Sequence, residues 1–536
     1  MGNKKLVFVL TASQDYLRHA NEDGKKYTAV TNSFFESISD TYIPLLKMLE
    51  NLERDNVAFK VALVLPPMLC TLLEDPVVQK QYNDWLDKKI EFGQKEIVRT
   101  ASNPELLKLA KYCFEKNQED KLAFESYGQR IIKKFGEYQK KGYVEILATC
   151  GTDMFLPFYN EMTEVINAQI EAGLYSYKSF FGEVPDGFWL PLKGYYPGIE
   201  KNVKNYGFNY TILDARSFLF SEIEPKNGIF TPARFINALG ALSCDPETED
   251  EIYGEEGFAH NSVFRNEARD VGYMLSQEEL LPFVEKGTSR YALGYKYWNK
   301  AAIDEEELCD ANGLENVYSP ADAFECCERL AKSYVEKKKE ILEKAASYID
   351  KDVSLVVTID MNKLRKNWVE GIHWIENVLR IAAESGIETV LPKTLIGNPF
   401  ELQRIKPYYG ASSGTGYGEE LLSSKNNWMM KYVRKAGERM IDLAERFPAE
   451  TGLKARLLNL GAKELMLAQS CGWARMIDSD EFPEYAESRF KQSINDFTAV
   501  FDALGSNTVS TEWLTNLENK HQFFPWMNYR IFSKKH

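Results

Sequence analysis

Residues able to do chemistry fall just past the ends of seven short apolar runs. Thr11, Ala12 and Ser13 follow the first, and Cys150, Gly151, Thr152 and Asp153 the third. Leu192 and Lys193 follow the fourth, Asp214 and Arg216 the fifth, Asp360 and Asn362 the sixth, and Lys393 the seventh. If the runs are parallel strands closed into a barrel, these ends share one mouth, the face where such barrels carry their sites. Three carboxylates and two or three cations would meet there, a set able to exchange protons with a ligand or to pair with an anionic one. Trp189, Tyr195, Tyr196, Trp368 and Trp374 are near the same ends. They offer flat surfaces on which sugar rings stack, although about half of such aromatics serve as core. Asp153 and Asp214 have a competing use in buried salt bridges to Lys193 or Arg216.

The runs span residues 5–10, 60–65, 144–149, 187–191, 209–213, 353–359 and 388–391. They are continuously apolar rather than alternating, the pattern of a parallel sheet buried on both faces. Helical periodicity over 34–52, 79–97, 123–140, 161–181 and 321–348 separates most of them. Such alternation predicts an α/β fold, an incomplete (β/α)7 TIM-like barrel. The connection from 217 to 290 is too long for a plain loop. An inserted subdomain is expected at 199–254, between barrel parts 1–198 and 255–404. Its acidic stretch 245–256 lacks EF-hand spacing and reads as a solvated loop. Apolar residues at helical spacing over 429–447, 454–470 and 484–504 predict an α-helical C-terminal domain over 405–536. The glycine-rich stretch 410–418 lacks the P-loop lysine and is expected to be a mobile loop.

Composition narrows the function classes. A formal charge of −14 disfavours nucleic acid. Five histidines leave little room for a multi-histidine metal site, and neither metal nor cofactor is expected. Eight cysteines without zinc-type pairing suggest free thiols in a reducing compartment, hence a cytoplasmic protein. The N-terminal apolar run is too short for a signal peptide, and no stretch of about 18 apolar residues is present to span a membrane.

Several motifs are recognisable. The run Gly187-Phe188-Trp189-Leu190-Pro191, continued by Gly194-Tyr195-Tyr196-Pro197-Gly198, resembles the fourth-strand motif of glycoside hydrolase family 57, specifically of its α-1,4-glucan branching enzymes. Residues 39–46 resemble that subfamily's first helix, and Asp360 followed by Trp368-Val369-Glu370-Gly371 keeps the spacing of its sixth-strand motif. Residues 467–473, 485–491 and 524–530 resemble its helical C-terminal domain.

The resemblance implies retaining transglycosylation on α-glucan, which needs a nucleophilic carboxylate and an acid/base. The acid/base maps onto Asp360. The nucleophile, a glutamate in the family, falls on Leu192, which can neither attack nor ionise. Family histidines fall on Thr11, Ser13, Asp153, Arg216 and Lys366, a family glutamate on Asn362, and the aspartate before the cleft tryptophan on Gly472. Trp189, Trp368, Trp473 and Asp214 are kept, so these four, with Asp153, Lys193 and Arg216, are the expected substrate-binding set. Three readings follow. The first is an inactive homologue that binds an α-glucan or oligosaccharide, or a protein partner. The second is a rebuilt active site pairing Asp360 with Asp153, Asp214 or Glu145. The third is a scaffold without ligand.

Overall fold

The computed structural model describes residues 3–18, 27–281, 283–284, 290–301, 316–506, 508 and 510–534. His19 and Cys309 lie outside them. Seven parallel strands close a ring: β1 (Lys4–Thr11), β2 (Val61–Val64), β3 (Val144–Leu147), β4 (Gly187–Phe188), β5 (Tyr210–Leu213), β6 (Gly240–Ser243) and β7 (Val353–Asp360). β3, β2, β1 and β7 pair in one sheet, while β4, β5 and β6 pair in another. Single parallel bridges, Ala148 to Phe188 and Cys244 to Val356, join the two sheets into a barrel. β1 is buried on both faces from Leu6 to Leu10, which explains its unbroken apolar run.

One stave differs from expectation. Residues 388–391 form only the two-residue strand Glu388–Thr389, paired to Lys5 and Leu6 at the foot of β1. The vacant place in the ring is filled by β6, which pairs with β5 and contacts β7. Residues 199–254, expected as an inserted subdomain, therefore supply two staves, β5 and β6. The excursion from the ring runs instead from β6 to the long helix α2 (Pro320–Tyr348).

The shell helices follow their apolar periodicity with one break. The expected helix 123–140 is two helices, Pro104–Ser126 and Ile131–Lys140, because Gly128 and Gln129 both adopt positive φ between them. Helix α1 (Thr163–Phe181) crosses the end of β3 closely: a Cβ on Gly173 would lie 1.7 Å from the carbonyl oxygen of Thr149. The C-terminal helices are α4 (Trp428–Arg446), α5 (Gly452–Ala468), α6 (Cys471–Asp478), α7 (Pro483–Ser506) and α8 (Thr511–Lys520). α3 (Met361–Asn367) follows β7 and is capped by Asp360.

The acidic stretch is not simply solvated. Residues Thr248–Tyr253 form a helix, and the side chains of Asp245 and Glu251 lie 2.7 and 2.6 Å from the wholly buried ammonium of Lys338 on α2. This clasp fixes the excursion against the barrel. No helix of the described residues is long and apolar enough to cross a membrane.

Candidate active site

A cleft opens at the C-terminal ends of the strands and is floored jointly by barrel and C-terminal helices. Two adjoining cavities of about 490 and 390 Å³ share Ser13, Asp153, Asp360, Lys363, Glu420 and Arg475. Of the expected residues, Asp360, Leu192, Asp153, Lys193 and Trp189 line it.

Asp360 ends β7 with one carboxylate oxygen held by the backbone N–H groups of Asn362 (2.8 Å) and Lys363 (3.2 Å). Asn362 clasps the end of β1: its amide nitrogen donates to the Ser13 carbonyl and its oxygen accepts from the Ser13 N–H, both at 2.9 Å. This clasp ties the ends of β1 and β7 together beside Asp360.

Leu192 and Lys193 both sit in the left-handed region, at φ 53° and 51°. Such conformations cost non-glycine residues on the order of 1–3 kcal/mol each and persist only where the surroundings enforce them. Here the N–H and hydroxyl of Ser412 both donate to the Leu192 carbonyl, at 2.7 and 2.8 Å. The strained turn sets residue 192 at the cleft, and its side chain is apolar and half-buried against the core. The buried Lys193 ammonium donates to Thr358 Oγ1 at 3.3 Å and to Cys244 Sγ at 3.5 Å.

Asp153 pairs with Arg475 rather than with Lys193, at 3.9 Å, and its carboxylate accepts from the Cys471 thiol at 3.6 Å. Burial raises its pKa, and the charge of Arg475 opposes the rise. Arg475 also donates to Ser13 Oγ at 3.1 Å.

Four expected ligand residues lie elsewhere. Asp214 caps the helix Ala215–Leu219 and pairs with Arg216 at 3.0 Å. The Arg216 guanidinium is spent on the carbonyls of Ala411 and Thr415, so it staples the glycine-rich loop. That loop is pinned rather than free. Its Gly414 and Thr415 N–H groups donate to Glu420 (2.9 Å) and Glu419 (2.6 Å), so the chain's own carboxylates occupy the amides that a phosphate would need. Trp368 is fully buried and packs 5.4 Å from Trp374 and 5.0 Å from Phe264, docking the excursion on the shell. Trp473 is 2% exposed and donates to the Leu467 carbonyl. Apolar packing claims both rings. Glu145, offered as a relocated carboxylate, lies on the β3 stave, where it accepts from the Tyr210 hydroxyl at 2.7 Å.

Sequence reasoning passed over Asp15. It lines the larger cavity, is 8% exposed, and accepts a hydrogen bond from the Ser470 hydroxyl. Its Oδ2 occupies the space beside Gly472: a Cβ there would lie 2.0 Å away. The available signal was Gly472 itself, a glycine where the resemblance expects an aspartate and whose room another residue could fill. Glu249 and Tyr253 of the excursion also line the cleft.

Burial pushes the Asp15 carboxyl up to about 6; the Ser470 hydroxyl opposes this, Asp153 adds to it and Arg475 opposes it. A carboxyl whose folded pKa exceeds its unfolded value near 4 loses stability as pH rises from about 4 to 6. Above that window the cost is on the order of 2–3 kcal/mol. Asp15→Asn removes it. Urea unfolding should therefore show the variant gaining on the wild type between pH 4.5 and 7.5; a difference constant across that range rejects the assignment.

The comparisons agree with the geometry. The profile of glycosyl hydrolase family 57 matches residues 7–409, and that of the 1,4-alpha-glucan branching enzyme C-terminal region matches residues 432–532. A curated 1,4-alpha-glucan branching enzyme of Thermococcus kodakarensis is 25% identical over 525 residues, covering 93% of this chain and 73% of its own. The crystal structure of the alpha-amylase AmyC from Thermotoga maritima superposes with a TM-score of 0.90 at 26% identity over 100% of both chains. A branching enzyme structure from Pyrococcus horikoshii gives 0.86 at 22% identity, over 99% of this chain and 97% of that one. The ring of seven staves, the cleft above it and a family match over most of the chain lead to one assignment: this chain belongs to glycosyl hydrolase family 57 and carries a branching-enzyme-type C-terminal region.

Proposed function

We propose that the protein binds an α-glucan or oligosaccharide in the cleft and performs no retaining glycosyl transfer. The observation that carries this is Leu192, an apolar side chain on the strained turn where the family resemblance expects the nucleophile. Without a carboxylate there, no glycosyl–enzyme intermediate can form, and the two-step path is lost. Trp189 at the cleft wall, the hydroxyls of Ser13 and Ser412 and the carboxyl of Asp360 remain to meet a sugar. The names of the relatives, a 1,4-alpha-glucan branching enzyme and an alpha-amylase, support α-glucan as the ligand class. The scattered buried thiols support a reducing, cytoplasmic setting. In such a protein the bound glucan, or an enzyme partner acting on it, would be the point of the fold.

A second reading, hydrolysis through a relocated carboxylate, draws support from Asp153 and Asp360 sharing the cleft closely enough for the charge of Asp360 to raise the Asp153 pKa. One experiment separates the two. Amylose incubated with the protein should keep its iodine absorbance and gain neither reducing ends nor α-1,6 branches, while calorimetry with maltoheptaose should register binding. New ends or branches defeat the binding-only reading; absence of heat and of a thermal shift defeats glucan recognition.

Leu192→Glu tests how far the site has drifted. We expect it to fold and to show little or no activity, because Asn362 is committed to clasping Ser13 and Arg216 to stapling the loop. Branching activity from that one substitution would mean the nucleophile was the main loss.

A further inference from the structure

Outside the cleft, the rim displays aromatic rings that the fold leaves uncovered. Phe220 is 70% exposed, Tyr417 61%, Tyr408 49% and Tyr409 45%. The segments that carry Phe220 and Tyr408 run side by side: the Tyr408 N–H donates to the Ser217 carbonyl and the Glu222 N–H to the Lys406 carbonyl, each at 3.0 Å. The Tyr408 and Tyr409 rings stand 5.8 Å apart at 80°. From Tyr409 the chain passes directly into the glycine-rich loop, whose Ser412 and Gly414 form part of the cleft wall. Arg216 holds that loop at Ala411 and Thr415, so Tyr417 is displayed from a fixed strand of backbone. One short stretch, 408–417, thus has its middle in the cleft and its aromatic ends on the surface beside it.

An exposed cluster of large rings is costly in water and marks a surface that meets something else. The stretch that carries three of these rings is continuous in the chain with the cleft wall at Ser412 and Gly414, which favours the ligand of the cleft as the occupant. Aromatic faces suit the apolar C–H faces of pyranose rings, and tyrosine hydroxyls suit their rims. We infer that Phe220, Tyr408, Tyr409 and Tyr417 form an outer platform that stacks an α-glucan chain where it leaves the cleft. This rests on the cleft being a glucan site. The platform lets a long chain bind more tightly than a short one, although both fill the same cleft.

The full chain tests this by comparing maltotriose, which fits within the cleft, with amylopectin, which extends past it. For Tyr408→Ala/Tyr417→Ala, the amylopectin dissociation constant should rise about tenfold, the loss of two stacked rings, while that for maltotriose stays within about twofold. Tyr408→Phe/Tyr417→Phe should keep most of the amylopectin affinity. Tyr417→Ala alone, at an exposed side chain, should show about a threefold loss and guards against misfolding of the double variant. An unchanged amylopectin affinity, or equal weakening for both ligands, overturns the platform while leaving the cleft reading intact. Sedimentation that shows a wild-type dimer broken by the alanine variant also overturns it, because the patch would then join two copies of the chain. If the wild type binds neither ligand, the cleft reading fails and the platform fails with it.

Discussion

Gly472→Asp should unfold the protein at markedly lower denaturant, by about 3 kcal/mol or more, and adding Asp15→Ala should recover most of that loss. The new Cβ would lie 2.0 Å from Asp15 Oδ2 and 2.6 Å from its Cγ, so the Asp15 carboxyl must leave its place against Ser470. Overpacking a buried site costs about 1–3 kcal/mol. A third carboxylate beside Asp15 and Asp153 adds like-charge repulsion where desolvation is already unfavourable. Asp15→Ala alone loses one hydrogen bond but also discards a buried acid, and should fall within about 1 kcal/mol of the wild type. The cycle should therefore show a coupling of about 2 kcal/mol or more. A double variant as unstable as Gly472→Asp would mean that the two positions do not compete for one space.

Lys338→Met should be comparably damaging. The ammonium is wholly buried between Asp245 and Glu251, whose side chains are 3% and 11% exposed. Breaking a buried pair by removing one partner leaves an uncompensated charge and costs about 3–5 kcal/mol. Lys337 still reaches Glu251 at 2.7 Å, so the stranded group is Asp245. An unpaired buried carboxylate has a raised folded pKa, so the deficit should shrink as the pH falls toward 5 and the acid takes up a proton. Thermal melts at pH 5 and pH 8 check this. A deficit equal at both would show that the lost packing of the lysine stem, not the charge, was responsible. The effect reaches the site, because the helix released carries Glu249 and Tyr253 into the cleft wall.

How much of this was legible beforehand depended on whether a residue's fate is set locally. Six of the seven staves, all but β6, announce themselves by runs of buried apolar residues, as Leu6–Leu10 does. β6 does not: Gly240-Ala241-Leu242-Ser243 has little strand propensity. It is a strand because β5 and β7 leave a gap that its backbone fills, with the Asp245 N–H donating to the Val356 carbonyl. Residues 388–391 look better as a strand and end up at the foot of β1, a choice made by packing. Asp360 and Asp153 were legible because strand ends locate them. Trp368 and Trp473 were not separable from Trp189, since a ring stacked on core and a ring facing a ligand look alike in sequence. Lys338 sits among Lys337 and Lys339 and reads as solvent-facing, yet it is the one turned inward. Asp15 could not be seen as buried, because its lid is Gly472, more than 450 positions away.

That distance bears on the order in which the protein can come into being. Arg475 bonds Ser13 from 462 positions away, and Ser470 bonds Asp15 from 455. Contacts so remote in sequence carry a large closure cost and are slow to form. During synthesis the barrel's staves are complete once β7 has emerged, more than a hundred residues before α6 arrives to lay the cleft floor. A nascent chain therefore holds all seven staves before the helix that floors the cleft has been made. Any glucan affinity that depends on Arg475 must wait for that helix.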